Sequence, residues 1–260
     1  MPTLLCDLDG VVWLAHEAID GAVDAIGRCR RAGWEVGFVT NNSVATIAEH
    51  EAALAVIGLD ATGAVISSAT AAGACVDAGE RVGLVGGPGV AEAISSSGAV
   101  ALAVADGVTD LDAVVVGLDR AFTFERLHHA SRAIRGGARF VATNTDASFP
   151  MPTGSTPGAG AIVAAVAVAS GVEPEVAGKP HRPMAAVVRR RFPGDGRIVV
   201  VGDRIETDGR FAAELGAEFA LVRSGVTPPG ADVVGELAAV PTIADAPDLA
   251  ELVDRLLTSR

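Results

Sequence analysis

Two aspartates separated by one leucine, in Asp7-Leu8-Asp9-Gly10, follow the first apolar run of the chain, Thr3–Cys6. At a strand end, residues i and i+2 point the same way while the residue between them turns to the other face. Carboxylates this close repel unless a cation bridges them or one is protonated. A third carboxylate follows the apolar run Ile198–Val201 in Gly202-Asp203-Arg204, with Asp208 a turn later. Together they would give an oxygen-rich site for Mg²⁺, a hard ion that takes few protein ligands and keeps several waters. The remaining groups suit an anionic substrate: Thr40-Asn41-Asn42-Ser43 closes the run Glu35–Val39, and Gly178-Lys179-Pro180 precedes a predicted helix. A magnesium beside a free carboxylate, a lysine and Thr/Asn donors meets the needs of phosphoryl transfer. Metal and Lys179 would neutralise equatorial oxygens while an aspartate attacks in line.

Each cluster alone has a plainer reading. Asp-x-Asp is common in strand-to-helix loops, and Asp203 and Asp208 could simply cap a helix. Thr40–Ser43 could be an N-cap, and Gly178-Lys179-Pro180 a solvated turn. Their joint order, every cluster at a strand or loop end, argues against coincidence.

The elements that must position these groups are short apolar, β-branched runs ending in polar or glycine residues. They are Thr3–Cys6, Glu35–Val39, Val82–Val85, Ala113–Val116, Phe140–Ala142, Ile198–Val201 and Phe219–Val222. Such runs suit buried parallel strands. Segments with helical apolar spacing separate most of them: Ala22–Arg31, Val44–Ile57, Phe124–Ile134 and Met184–Arg191. Alternating β and α elements predict an α/β fold with a mostly parallel sheet, whose ligands bind beyond the carboxyl ends of the strands. The middle of the chain has its own alternation and is expected to form a second domain inserted between the second and third clusters.

Composition narrows the class. The 260 residues carry 20 basic and 32 acidic side chains, a net charge of −12, which argues against nucleic acid or an anionic membrane as partner. Three dispersed cysteines, Cys6, Cys29 and Cys75, offer neither a disulfide framework nor a zinc knuckle. Asp7 and Asp9 come too early for a signal peptide, and the longest apolar stretch, Ala159–Ala169, is too short to span a bilayer. A soluble cytoplasmic protein is expected. Lys179 is the only lysine, and Asn41, Asn42 and Asn144 are the only asparagines. In a chain this rich in Ala, Gly, Val and Arg, those residues stand out as ones kept for their chemistry.

Four stretches in order carry a family resemblance: Asp7–Trp13, Phe38–Ser43, Ala177–Pro180, and Val201–Arg204 through Thr207-Asp208. With Ala142–Asp146 and Thr156–Gly160 they resemble the haloacid-dehalogenase (HAD) superfamily phosphatases with an α/β cap of the C2 type. That branch is the p-nitrophenylphosphatase, phosphoglycolate and pyridoxal-phosphate phosphatase group. The resemblance implies a Rossmann-like parallel-sheet core, residues 1–78 and 177–260, with an inserted α/β cap domain at 79–176. It implies Asp7 as nucleophile, forming an aspartyl-phosphate, and Asp9 as the acid that protonates the leaving oxygen and then activates water. Mg²⁺ would be held by the Asp7 carboxylate, the Asp9 carbonyl and the Asp203 carboxylate, with Asp208 in the outer shell. Thr40, Asn41, Asn42 and Lys179 would grip the phosphoryl oxygens. The substrate class is a small phosphomonoester, such as phosphoglycolate or glycerol phosphate, with p-nitrophenyl phosphate as an artificial one. Relatives also pair through their caps, so a homodimer through the cap is expected. Ile205-Glu206 and Gly209 depart mildly from the family pattern. A phosphotransferase or mutase on the same fold, and a non-catalytic metabolite binder, stay as alternatives; a binder would not need both Asp7 and Asp9.

Other features read as structural. Gly83–Gly89 lacks dinucleotide-loop spacing and is expected to be a turn in the cap. His128 and His129 are adjacent on a predicted helix and face different ways. His181 is expected at the edge of the site or on a surface loop, and Arg189–Arg191 at a solvated helix end. Asn144–Pro157 is expected to be a surface loop carrying one large apolar side chain, Phe149, either packed inside the cap or closing over the leaving group to set specificity.

Overall fold

Four residues buried in succession, Thr3 to Cys6, make β1 (Thr3–Cys6) a strand covered on both faces, the environment of a parallel sheet interior. A tight hairpin, β2 (Trp13–Leu14) and β3 (Glu17–Ala18), leads to α1 (Ala22–Arg31). Then follow β4 (Glu35–Thr40), α2 (Ile47–Val56), β5 (Val65–Ser67) and α3 (Ser68–Gly73). The middle of the chain supplies β6 (Arg81–Val85), α4 (Pro88–Ser96), β7 (Val100–Ala103), β8 (Ala113–Val116), α5 (Phe124–Arg135) and β9 (Arg139–Ala142). It continues with the hairpin β10 (Ser148–Met151) and β11 (Gly154–Pro157), then α6 (Ala159–Ser170) and β12 (Glu175–Val176). The last part holds α7 (Arg182–Arg191), β13 (Ile198–Gly202), a π-helical turn at Ile205–Gly209, α8 (Arg210–Leu215), β14 (Glu218–Val222), β15 (Thr242–Ala246) and α9 (Leu249–Thr258). The computed structural model describes residues 1–151, 154–194, 196–233, 235 and 240–258, with backbone alone at 149–151, 154 and 155.

Two sheets organise these elements. One has six strands in the order β15-β14-β13-β1-β4-β5, and the other five in the order β12-β9-β8-β6-β7. β1 pairs in parallel with β4 and with β13, placing Cys6 beside Phe38 and Val201. The carboxyl ends of all three strands therefore lie level. The five-stranded sheet is parallel too, and α5 and α6 close its core around Val114, Val116, Ile134, Phe140, Val163 and Val166. The α/β class with parallel sheets is as the sequence predicts. The chain divides into two compact units: Met1–Thr40 with Ala48–Ile66 and Val188–Arg260, and Asn41–Ile47 with Ser67–Val187.

Three local expectations are corrected. The helix expected from Val44 begins at Ile47, because the preceding backbone is otherwise engaged. Val44 N–H donates to Asn42 Oδ1 at 3.0 Å, Gly89 N–H to the Val44 carbonyl at 2.9 Å, and Ile47 N–H to Glu92 Oε2 at 2.8 Å. The Gly83–Gly89 run is less a turn than a strand end and a helix start: Gly87 is the N-cap of α4 and Pro88 occupies its first turn, where a missing N–H costs nothing. The expected loop 144–157 contains an antiparallel hairpin pairing Ser148 with Pro157 and Phe149 with Thr156. Ala159–Ala169 lies within α6, and among the described residues no helix is long and apolar enough to cross a membrane.

Candidate active site

The chemistry of the first unit gathers at the ends of β1 and β13. Asp7, Asp203 and Asp208 each bring a carboxylate oxygen within 4.8 Å of the other two. Asp203 is 1% exposed and Asp208 0%, while Asp7 is half-buried. Strand pairing sets Asp7, whose N–H donates to the Val201 carbonyl at 2.9 Å. Its Oδ1 accepts from Leu8 N–H at 2.8 Å. Asp208 sits in the π-helical turn, a form common at functional sites. Its Oδ2 accepts from Arg204 N–H at 3.2 Å. Asp203 lies in a cradle with no room for a side chain above it. A Cβ on Gly10 would fall 2.4 Å from Asp203 Oδ2, and one on Gly225 2.0 Å from it. Val226 N–H donates to the same oxygen at 2.5 Å, and Ser224 Oγ to the Gly10 carbonyl at 2.7 Å. Three converging carboxylates, two of them buried, are electrostatically costly without a cation, and an all-oxygen donor set selects a hard one.

Asp208 thus lies within 4.8 Å of the other two carboxylates. The Asp9 side chain accepts from Trp13 Nε1 on Oδ1 at 3.1 Å. Thr40 is buried at the end of β4. Cys6, next to the cluster, is no competing nucleophile, since burial pushes its thiol far above the ordinary range, with Cys29 and Asp7 adding to the shift.

A second cluster lies within the other unit, around Asn41. Its side chain receives Lys179 N–H on Oδ1 at 2.9 Å and donates from Nδ2 to the Lys179 carbonyl and to Asp146 Oδ2, each at 3.1 Å. Its carbonyl accepts from Asn144 Nδ2 and from Ser68 Oγ, both at 2.7 Å. Asn144 also fixes the turn that presents Asp146, whose N–H donates to Asn144 Oδ1 at 3.1 Å. Lys179 is 4% exposed. Asn42 is turned to its own backbone through Val44 N–H.

Sequence reasoning names Asp7, Asp9 and Asp203 for the metal, with Asp208 in the outer shell, and Thr40, Asn41, Asn42 and Lys179 for the phosphate. Asp7, Asp203 and Asp208 lie together in one unit and Asn41 with Lys179 in the other. Sequence reasoning misses Ser68, which carries no signal at all. Trp13, Asn144 and Asp146 are visible only through the resemblance of their stretches. The Phe149 side chain lies outside the described residues. His128 and His129 stack edge-on at 5.2 Å between ring centroids and join no acidic or thiol cluster among the described residues. His181 is exposed, as are Arg189–Arg191 at the end of α7.

Residues 4–100 match the haloacid dehalogenase-like hydrolase family, and residues 176–252 a HAD-hydrolase-like family. The chain is 34% identical to the acid sugar phosphatase of Staphylococcus aureus, over 86% of each protein. The glycerol phosphate phosphatase of Mycobacterium tuberculosis, solved with magnesium, superposes with a TM-score of 0.86 at 33% identity, covering 96% of this chain and 76% of that one. The p-nitrophenyl phosphatase of Archaeoglobus fulgidus gives a TM-score of 0.87 at 27% identity, with 97% and 98% covered. The chain belongs to the haloacid dehalogenase-like hydrolases, in the branch with an inserted cap. Within that family it is an enzyme of the phosphatase class.

Proposed function

We propose that the enzyme hydrolyses a small-molecule phosphomonoester, such as a glycerol or sugar phosphate or phosphoglycolate, through an aspartyl-phosphate on Asp7 with Mg²⁺ as cofactor. The observation that carries this reading is the convergence of Asp7, Asp203 and Asp208 within 4.8 Å. The names of the relatives support the substrate class, and the magnesium and calcium complexes of the mycobacterial phosphatase support a divalent cation. The core, 1–78 and 177–260, would hold the metal, and the inserted domain, 79–176, would select the ester. Asp7, Asp203 and Asp208, with the Asp9 carbonyl, would hold Mg²⁺, which supplies charge neutralisation of the phosphoryl oxygens. Asp7 attacks phosphorus, and the P–O bond to the alcohol breaks as Asp9 delivers a proton to the leaving oxygen. Asp9 then takes a proton from water, which attacks the phosphorus of the acyl phosphate and returns the Asp7 carboxylate. Lys179 and Thr40 bind the non-bridging oxygens.

Phosphate release from glycerol phosphate, sugar phosphates, phosphoglycolate and p-nitrophenyl phosphate, with Mg²⁺ and with excess EDTA, tests the proposal. Activity abolished by EDTA and by Asp7→Asn is expected. Phosphate appearing on an added sugar acceptor instead of in solution would replace hydrolysis with phosphotransfer. Undiminished turnover in Asp7→Asn would remove the nucleophile.

A further inference from the structure

We propose that Asn41 is a positioning residue that brackets the backbone of Lys179 and is itself steadied by Asp146, and that its side chain does not contact the phosphoryl group. Resemblance alone places Asn41 among the phosphate ligands; the hydrogen bonds point to another task. An asparagine side chain has two N–H donors, both on Nδ2. One goes to the Lys179 carbonyl and the other to Asp146 Oδ2, each at 3.1 Å. What remains is Oδ1, an acceptor that phosphoryl oxygens would repel, and it already receives Lys179 N–H at 2.9 Å. Exchanging the amide oxygen and nitrogen would set donor against donor at Lys179 N–H, and acceptor against acceptor at the carbonyl and the carboxylate. The network itself therefore fixes the orientation.

The bracket closes on both polar groups of one residue, the N–H and the carbonyl of Lys179. A lysine reaches its target through four flexible bonds, so the protein controls its ammonium chiefly by fixing where the stem begins. The stem begins in a crowded place. Gly178 N–H donates to the Thr143 carbonyl at 2.7 Å, and a Cβ on Gly178 would lie 2.6 Å from Asn41 Oδ1. The far side of Asn41 is pinned as well, its carbonyl held by Asn144 and Ser68. Asp146 thereby becomes part of the positioning apparatus, two bonds removed from the lysine.

The inference rests on the proposed role of Lys179, and the test separates the two. Asn41→Asp keeps an acceptor for Lys179 N–H but turns a second oxygen toward both the Lys179 carbonyl and the Asp146 carboxylate. A displacement of about 1 Å can cost ~10²-fold, so kcat on p-nitrophenyl phosphate should fall by about that factor with KM nearly unchanged. Adding Asp146→Asn supplies an amide that donates to the carboxylate introduced at position 41, and roughly tenfold of the loss should return. Asn41→Ala, which removes the bracket without adding charge, should also lower kcat, and it keeps the test decisive if Asn41→Asp does not fold. A double variant no better than Asn41→Asp, a loss expressed only in KM, or a normal kcat in Asn41→Ala would overturn the bracket. If Lys179→Ala retains wild-type turnover, the role of the lysine itself fails. If Lys179→Ala collapses while the double variant shows no recovery, the lysine stands and the bracket alone is wrong.

Discussion

The indole Nε1 of Trp13 donates to Oδ1 of Asp9 at 3.1 Å. The contact is locally enforced, because Gly10 N–H donates to the Trp13 carbonyl at 2.8 Å and Trp13 is 1% exposed. The Asp9 carboxyl, the proposed acid-base group, is thus tethered by the hairpin that follows β1. Trp13→Phe keeps the apolar body and removes the donor. Turnover of alkyl phosphates should drop roughly tenfold, the worth of about one hydrogen bond. Loss on p-nitrophenyl phosphate should be smaller, since a good leaving group needs less proton transfer. Equal losses on both would show that Trp13 acts through packing and not through Asp9.

The carboxylate cluster should couple metal binding to stability. Without a cation Asp7, Asp203 and Asp208 repel one another, so Mg²⁺ should raise Tm and EDTA lower it. Asp208→Asn removes one charge and should narrow that gap. It should also raise the Mg²⁺ concentration for half-activation by about tenfold or more. An unchanged Mg²⁺ requirement, read by titrating the metal into chelated enzyme, would place Asp208 outside the metal's environment.

The hairpin tip is strained. Ala15 and His16 have φ values of 50° and 69°, left-handed conformations that suit a two-residue hairpin turn but penalise residues with a Cβ. Ala15→Gly should stabilise the fold by up to about 1 kcal/mol, measured by denaturant titration. Destabilisation would mean that the methyl group makes contacts worth more than the strain.

The last strand of the six-stranded sheet is fastened by charge. Arg223 grips Asp245 with two hydrogen bonds, Nε to Oδ1 at 2.8 Å and Nη2 to Oδ2 at 2.5 Å. These bonds hold the Asp245 carboxyl below its ordinary value, with the nearby Arg223 and Arg255 charges adding to the effect. A lowered folded pKa gives stability that is complete above the unfolded value, near ~3.9, and lost as pH falls through the folded one. Asp245 is 40% exposed, so solvent screening limits the contribution to about 1 kcal/mol. The Tm difference between wild type and Asp245→Asn should be largest at neutral pH and vanish in acid. A difference independent of pH would assign the effect to packing.

How far the sequence discloses this depends on where an element lies. β1, β8 and α1 are found with the bounds that apolar patterning predicts, because strands covered on both faces read as unbroken apolar runs. The strands that patterning misses, apart from two hairpins, are β5, β7, β12 and β15. These are the four edge strands of the two sheets, and an edge needs no such run. β15 alternates intermediate and exposed residues along Thr242–Asp245. In the site, Asp7, Asp203 and Asp208 are legible because each follows a buried strand closely. The work of Asn41 is not, since its side-chain partners are 138 and 105 residues away in the chain. The contact of Trp13 escapes for a different reason: its stretch carries the resemblance, but hydropathy counts the ring and ignores the N–H.

The pairing of β1 with β13 orders events in time. β1 leaves the ribosome before β4 and can meet it soon after, but β13 lies beyond the whole five-stranded sheet. Closing so long a loop is entropically unfavourable until the intervening elements have condensed. Asp7 and Asp9 therefore exist for most of synthesis without Asp203 and Asp208, the later members of the carboxylate cluster. In a chain that stops short of Asp208 the three-carboxylate cluster is never completed.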